Sequence, residues 1–518
     1  MTKKKKKSGF DRFIDGVEKA GNALPSPFVL FIYLCLIILV LSFVLSKLGV
    51  GVEFTSAARD GAEMETEFVS VVNLLSKEEI AKTLTNFVPT FIDFPPLGLV
   101  LIMMMGISFI EHTGLVNAAM RKTLMGAPQY MVTLLIAFVG VNSNIASDAG
   151  PIFSASIAAS LFHSLGRSPA VGATLGFAAA SGGFTANLFV AGTDALLSGI
   201  TQSVTEGMGI DAVTHPLMNY YFMATATFFI TIAITLVAEK YLLPKHDYER
   251  VGEIDLEAHK VTDLEKKGLR RSGFALLAYI VLIVALTVPQ NSLFRSEDGA
   301  ILPKSPLISS IVPILFFMFV LIGYVYGKTV GTIKSEKDVF ALFRQGISSA
   351  LTFLVIALPA SQFISLFNRS KITTVLAVKG ANFLGGLNLG TIPLLLVFIF
   401  LVTLVNILMT SGSSKWLILA PVFVPMLAFL GLSPAAAQVA YRIGDSSTNI
   451  ISPINSTLAV VLGIMQNYSK DGDEEIGIGT VISYTLPYSI AILLSLSVLL
   501  VIWILLGLPL GPGAGIYL

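Results

Sequence analysis

The chain has 518 residues, 54% of them hydrophobic and only 13% charged. A soluble protein carries about 25% charged residues, and here apolar runs recur over nearly the whole length, which excludes a soluble domain with one anchor. A net charge of +1 leaves no electrostatic footprint for nucleic acid, and a lone cysteine, Cys35, rules out a disulfide framework.

In chain order, segment 1–27 opens on MTKKKKK, which reads as a basic cytoplasmic tail under the positive-inside rule. The first apolar run, 28–48, is long enough to span and lacks a signal-peptidase pattern. Further runs of spanning length lie at 95–120, 169–198, 217–243, 273–289, 307–327, 349–367, 434–463 and 480–507, making nine. Two other apolar stretches, 128–165 and 389–430, have about twice the length of one crossing and small polar residues in their middle. Each is expected to be a helix–break–helix hairpin entering and leaving on one side. The expected fold class is an all-α polytopic membrane protein of nine transmembrane helices plus two re-entrant helical hairpins. Segment 334–345 reads as an amphipathic helix on the membrane surface.

Lys and Arg set the orientation. Lys245, Arg250, Lys260, Lys266, Lys267, Arg270 and Arg271 crowd the loop 244–271, which is therefore expected inside with the N-terminus. Arg369, Lys371 and Lys379 fall outside, against the trend. The tail 508–518 is expected outside.

A repeat emerges from the motifs. LGRSPA at 165–170 matches LGLSPA at 430–435. An interrupted apolar stretch precedes each copy, with polar middles NSNIASDAGP (142–151) and NILMTSGSSKW (406–416). A long helix with a polar break follows each, SGGFTANLFVAGTD (181–194) and GDSSTNIISPINST (444–457). Repeat 1 then covers 128–243 and repeat 2 covers 388–507, with other spanning helices in 28–127 and 272–387. Counting spans, the copies enter from opposite sides, the inverted-repeat plan of secondary transporters.

Non-helical backbone at membrane depth survives only where protein or a water-filled cavity surrounds it. Its freed N–H and C=O groups can hold a solute or ion. Small residues also allow close helix packing, but packing does not explain intramembrane Asp148, Asp194, Arg442 and Asp445, because ionisable groups there are costly. Arg442 and Asp445 stand three apart, so they share a helix face and can pair. Arg442 is the candidate for a substrate carboxylate and Asp445 for an ion. Thr448 and Asn449 follow with further oxygens, and Pro453 holds the break open by removing a donor. Pro434 suits the first turn of a helix. Asp194, beside Thr193, faces the other break or sits at an interface. Asp148 lies at the first hairpin tip near Asn144 and serves an ion or a helix cap. Trp416 is an interface anchor or a flat wall for an aromatic solute. No Walker A, HExxH or Cys/His cluster occurs, so ATP-driven pumping and zinc hydrolysis lack support and no enzyme is expected.

At these residues the chain resembles the AbgT (p-aminobenzoyl-glutamate transporter) family. The resemblance rests on PSPFVLFIYL (25–34), SDAGPIF (147–153), GFTANLFVAGTDALLSGI (183–200), SGSSKWLILAPVFVPM (411–426), RIGDSSTNIISP (442–453) and GLPLGPGAGIY (507–517). It implies a homodimer of nine-helix protomers with two hairpins that transports p-aminobenzoyl-glutamate or p-aminobenzoate-like folate fragments. It also implies export of sulfonamide antimetabolites by some members. The family's functional residues fall on Asp194, Asn406, Ser413, Trp416, Pro434, Arg442, Asp445 and Pro453. Lys415 at the second tip adds a charge that bears on specificity.

The expectation is thus a secondary active transporter for a small aromatic anion, driven by sodium or protons. Ion-binding candidates are Asn144, Asp148, Thr193, Asp194, Asn406, Asp445, Thr448 and Asn449, with Na+ at the hairpin tips and helix breaks. No other cofactor and no nucleic-acid partner is expected. The alternatives are a sodium-coupled dicarboxylate or other organic-anion symporter of similar fold, and a channel.

Overall fold

A computed structural model describes residues 25–56, 65–125, 128–146, 149–246, 260–302, 305–468 and 476–518. The basic run at the start, residues 247–259 of the loop 244–271 and Asp148 lie outside these residues.

Helix α1 (Pro27–Lys47) is followed by a two-stranded antiparallel sheet, β1 (Gly51–Ser56) and β2 (Glu65–Ser70), with Gly51 opposite Ser70. Among the described residues this small hairpin sits in a fold that is otherwise mostly helical, as expected. Its strands alternate (GVEFTS, ETEFVS) but are too short and polar to stand out beside the spans. Two short helices follow, α2 (Lys77–Thr85) and α3 (Phe87–Ile92), then α4 (Pro95–His112) and α5 (Leu115–Met125). The expected span 95–120 is therefore two helices, separated at Gly114, whose φ of +86° ends the first.

The segment expected as repeat 1 holds α6 (Val132–Asn142), α7 (Ala149–Ser164), α8 (Pro169–Gly182), α9 (Gly192–Met208) and α10 (Tyr220–Val237). Next come α11 (Asp263–Ala285), the short α12 (Pro306–Ser309), α13 (Ile311–Val330), α14 (Glu336–Arg369) and α15 (Ile372–Gly386). Helix α14 runs unbroken for 34 residues, so the surface helix expected at 334–345 is simply its first part. At 1.5 Å per residue it is about 50 Å long, more than a ~30 Å bilayer core. The segment expected as repeat 2 holds α16 (Thr391–Leu408), α17 (Gly412–Phe429), α18 (Pro434–Thr448), α19 (Ser456–Gln466) and α20 (Ile478–Leu505).

Among the described residues nine helices are long and apolar enough to cross a membrane. They are not the nine expected. Seven coincide, but α16 and α17 each qualify singly, while 169–198 and 434–463 are each two shorter helices. The protein is a multi-pass membrane protein. Outward side chains such as Leu36, Val40, Phe274, Leu277, Phe400 and Leu404 are apolar and exposed, as lipid contact requires.

The two LGxSPA motifs share one local geometry. Gly166 and Gly431 both adopt positive φ, +67° and +81°, ending the preceding helix. Ser168 and Ser433 then cap α8 and α18, accepting from the N–H of Val171 and Ala436, and Pro169 and Pro434 fill the first turn. In each half the first hairpin arm packs on the broken helix, α6 on α8 and α16 on α18. The halves also exchange contacts: α9 packs on α17 and α19 on α7. Small residues bring backbones together within a half. A Cβ at Gly176 would lie 2.2 Å from the Ser154 carbonyl oxygen, so α7 and α8 approach only because glycine is there.

The expected tail 508–518 is a packed strap. Ser433 N–H donates to Ile516 O (2.8 Å), Leu518 N–H to Gly431 O (3.1 Å) and Phe222 N–H to Leu510 O (3.2 Å). His215 Nε2 donates to Pro512 O (2.9 Å).

Candidate functional site

The two breaks, 183–191 and 449–455, face the centre of the protein, and every residue of α18 is buried. Polar side chains cross between the halves there. Thr185 Oγ1 lies 2.5 Å from Ser446 Oγ. Arg442 Nη2 donates to Asp194 Oδ1, joining α18 to the first turn of α9. The Arg442 side chain is 1% exposed and that of Asp194 11%. Asp194 Oδ2 also accepts from Ala191 N–H (2.7 Å), so the same carboxylate caps its own helix. Arg442 Nε is buried with no partner among the described residues.

The pairing of Arg442 with Asp445 that their spacing allows is not formed. Arg442 is held by Asp194, while Asp445 binds Lys415 Nζ of α17 at 2.5 Å. Sequence spacing proposes the neighbour on one helix, but Asp194 reaches Arg442 from 248 residues away in the other half, and Lys415 reaches Asp445 from 30 residues away on the preceding helix. Both pairs neutralise charge where an unpaired ion would be strongly disfavoured.

Lys415 Nζ also donates to Asn406 Oδ1, near the end of α16. Asn406 Nδ2 is shared among Asp445 O (2.6 Å), Thr448 Oγ1 (2.9 Å) and Asn449 Oδ1 (3.0 Å). Four expected site residues therefore meet at the second tip, Asn406, Asp445, Thr448 and Asn449; Ser413 is half-buried in the first turn of α17. Pro434 opens α18 and Pro453 lies inside the second break, both as expected.

Trp416 is fully buried, which removes the interface-anchor reading. Its ring lies 4.5 Å from that of Tyr441 at 33°, and its Nε1 donates to Thr201 Oγ1 (2.9 Å). Thr201 in turn donates to Gln438 Oε1 (2.6 Å), and Tyr441 Oη to Gly412 O. Thr201, Gln438, Tyr441 and Thr185 escaped the sequence reading, whereas Ser446 stands in the polar run that follows Asp445. Only Gln438, a long polar residue in a run of alanines, carried a local signal.

The first tip is built differently. Asn142 Oδ1 accepts from Leu188 N–H (3.1 Å), and Asn144 Nδ2 donates to Gly183 O (2.7 Å). Asparagine thus ties the hairpin to the break in both halves. Asn144 Oδ1 and Thr193 Oγ1 are buried without partners among the described residues. Asp148 lies outside those residues, so its expected role has no geometry here. No group of three or more His, Cys, Asp or Glu able to hold a metal ion occurs among the described residues.

The model of the AbgT putative transporter family matches residues 12–518. The chain is 33% identical over 497 residues to the p-aminobenzoyl-glutamate transport protein of Escherichia coli K12, covering 96% of this chain and 95% of that protein. Two solved structures share the fold. The Alcanivorax borkumensis YdaH transporter, described as having an unusual topology, superposes with a TM-score of 0.86 at 35% identity, covering 94% of this chain and 100% of that one. Neisseria gonorrhoeae MtrF, of a class described as antimetabolite efflux pumps, gives 0.89 at 37%, covering 97% and 100%. Repeated hairpin, cap and break, crossed by buried ion pairs, stand in a chain matched from residue 12 to its last residue: this protein belongs to the AbgT family of transporters.

Proposed function

We propose that the chain is a secondary active transporter of p-aminobenzoyl-glutamate and similar aromatic carboxylates, working by alternating access. The observation that carries this reading is the Arg442–Asp194 pair, which joins the two halves beside the Trp416 and Tyr441 rings. A cargo carboxylate takes the place of Asp194 on Arg442, which offers a planar fork of donors. The aromatic ring of the cargo lies against Trp416 once that residue is uncovered. Arg442 and Trp416 are both buried in this conformation, so cargo entry requires the halves to part.

The driving force is an ion gradient. Two buried neutral oxygens without partners, Asn144 Oδ1 and Thr193 Oγ1, favour sodium at the first tip. Asp194 is the group on which a proton would be carried instead. The interrupted stretches act as re-entrant hairpins, and the protomers assemble as homodimers in the bacterial inner membrane, N-terminus inside and C-terminus outside.

Flux of radiolabelled p-aminobenzoyl-glutamate into proteoliposomes under imposed Na+ or H+ gradients tests this. Uptake or export that follows one gradient, saturates and is blocked by p-aminobenzoate supports it. Flux indifferent to both gradients removes the coupled mechanism. Block by succinate and not by p-aminobenzoate assigns the dicarboxylate reading instead. Normal flux in both Arg442→Ala and Asp194→Ala makes those residues structural.

A further inference from the structure

We infer that the ε-ammonium of Lys415 is a tethered cation occupying a monovalent-cation site at the second hairpin tip, so that this half of the transporter carries its cation permanently. The inference rests on the ion-gradient reading above for its place in a transport cycle.

The surroundings of the ammonium are those of a small cation. Asn406 Oδ1 and Asp445 Oδ1 both reach Nζ, and they come from two different helices, α16 and α18. Asn406 is fixed with its oxygen toward Nζ, because its amide nitrogen is engaged by Asp445 O, Thr448 Oγ1 and Asn449 Oδ1. Asp445 approaches the tip closely; a Cβ on Gly412 would lie 3.2 Å from its Oδ2. The Lys415 and Asp445 side chains are 0% and 2% exposed, so neither charge is compensated by water. Taken without the lysine, the site is one carboxylate and one amide oxygen converging on a point within membrane depth, with one uncompensated negative charge.

The first tip supplies the contrast. Its polar middle, NSNIASDAGP, contains no Lys or Arg. There the asparagine tied to the break, Asn144, keeps its side-chain oxygen buried and unpartnered, whereas the oxygen of Asn406 is filled by the ammonium. The two halves therefore repeat the hairpin–break geometry but differ in the origin of the positive charge. One consequence follows: only the first half exchanges its cation with solution, and the second stays clamped to α18 by a charge that cannot leave. Shortening Lys415 to alanine removes the ammonium and its stem, opens room beside Asp445, and leaves a carboxylate that a dissolved sodium ion can neutralise.

The test uses the full chain in lipid nanodiscs, wild type and Lys415→Ala, with 22Na+ binding measured by equilibrium dialysis and choline replacing sodium. Lys415→Ala is expected to bind one more Na+ per protomer than wild type, with a larger rise in melting temperature on exchanging choline for sodium. Adding Asp445→Asn is expected to abolish both gains. Equal stoichiometry and equal sodium response in wild type and variant overturn the inference. If Lys415→Ala yields no folded protein, Lys415→Ser, which keeps an oxygen, is purified in sodium. Recovery of that variant in sodium and not in choline supports the inference, and loss in both overturns it. No cargo is used, so failure of p-aminobenzoyl-glutamate transport leaves this measurement independent.

Discussion

Neutralising Asp194 is the sharpest perturbation of the centre. Asp194→Asn keeps an oxygen able to accept from Ala191 N–H, so the start of α9 remains capped, but Arg442 loses its counter-charge. Removing one member of a buried pair costs about 3–5 kcal/mol. The 11% exposure of the Asp194 side chain lets water share the load, which places the value near the low end, about 3 kcal/mol. Arg442→Gln strands the carboxylate, which has the same limited access to water, at a similar cost of about 3 kcal/mol. The double variant buries no charge and loses only hydrogen bonds, about 2 kcal/mol in all. The singles therefore sum to about 6 kcal/mol and the double falls well short, a coupling of at least about 2 kcal/mol. Unfolding in mixed detergent–SDS micelles, followed by the fluorescence of Trp416 and Trp503, reads all four proteins. Additivity within about 0.5 kcal/mol would show that the two side chains do not interact, and the proposed cargo site would lose its central feature.

Three further outcomes are expected. Trp416→Phe keeps a ring beside Tyr441 but leaves Thr201 without the indole N–H, costing about 1 kcal/mol and raising the KM for an aromatic cargo more than that for a non-aromatic competitor. Ser168→Ala and Ser433→Ala each remove a cap, about 1 kcal/mol, but thermal unfolding should find Ser433→Ala worse, because Ser433 Oγ also donates to Gly515 O at 2.6 Å. Burial alone would raise the Glu79 carboxyl, but hydrogen bonds from Arg369 and Lys82 outweigh it and hold its pKa below the ordinary 4.5. Its stabilisation is therefore complete above that value and is lost as the pH falls through the depressed folded-state value. With Glu79 and Arg369 partly exposed the effect is at most about 1 kcal/mol, and Glu79→Gln should flatten the acid limb of a stability–pH curve.

The architecture was legible where sequence and local physics coincide. LGRSPA and LGLSPA encode a left-handed glycine, a serine cap and a first-turn proline, and all three form in both halves. Helix ends at Pro27, Pro95, Pro169 and Pro434 follow the same logic. The breaks announced themselves as polar residues inside apolar runs. Partner choice was not legible. The spacing of Arg442 and Asp445 is a local rule, and it yielded to Lys415, brought by the packing of α17 on α18, and to Asp194, brought by the crossing of the halves. The same holds for Thr201, whose hydroxyl looks like any other on a helix until Trp416 and Gln438 meet it. The β-hairpin escaped because its strands are six residues each and lie beside spans three times as long.

The C-terminal strap has a mechanical consequence. It is stitched to Gly431 and Ser433 at the mouth of α18 and to His215 and Phe222 ahead of and within α10, so it belongs to both copies of the repeat at once. Any swing that parts the two centres must pivot about this rivet or stretch it, which biases gaping toward the far end of the molecule. Trimming the last dozen residues would remove the pin rather than a loose end.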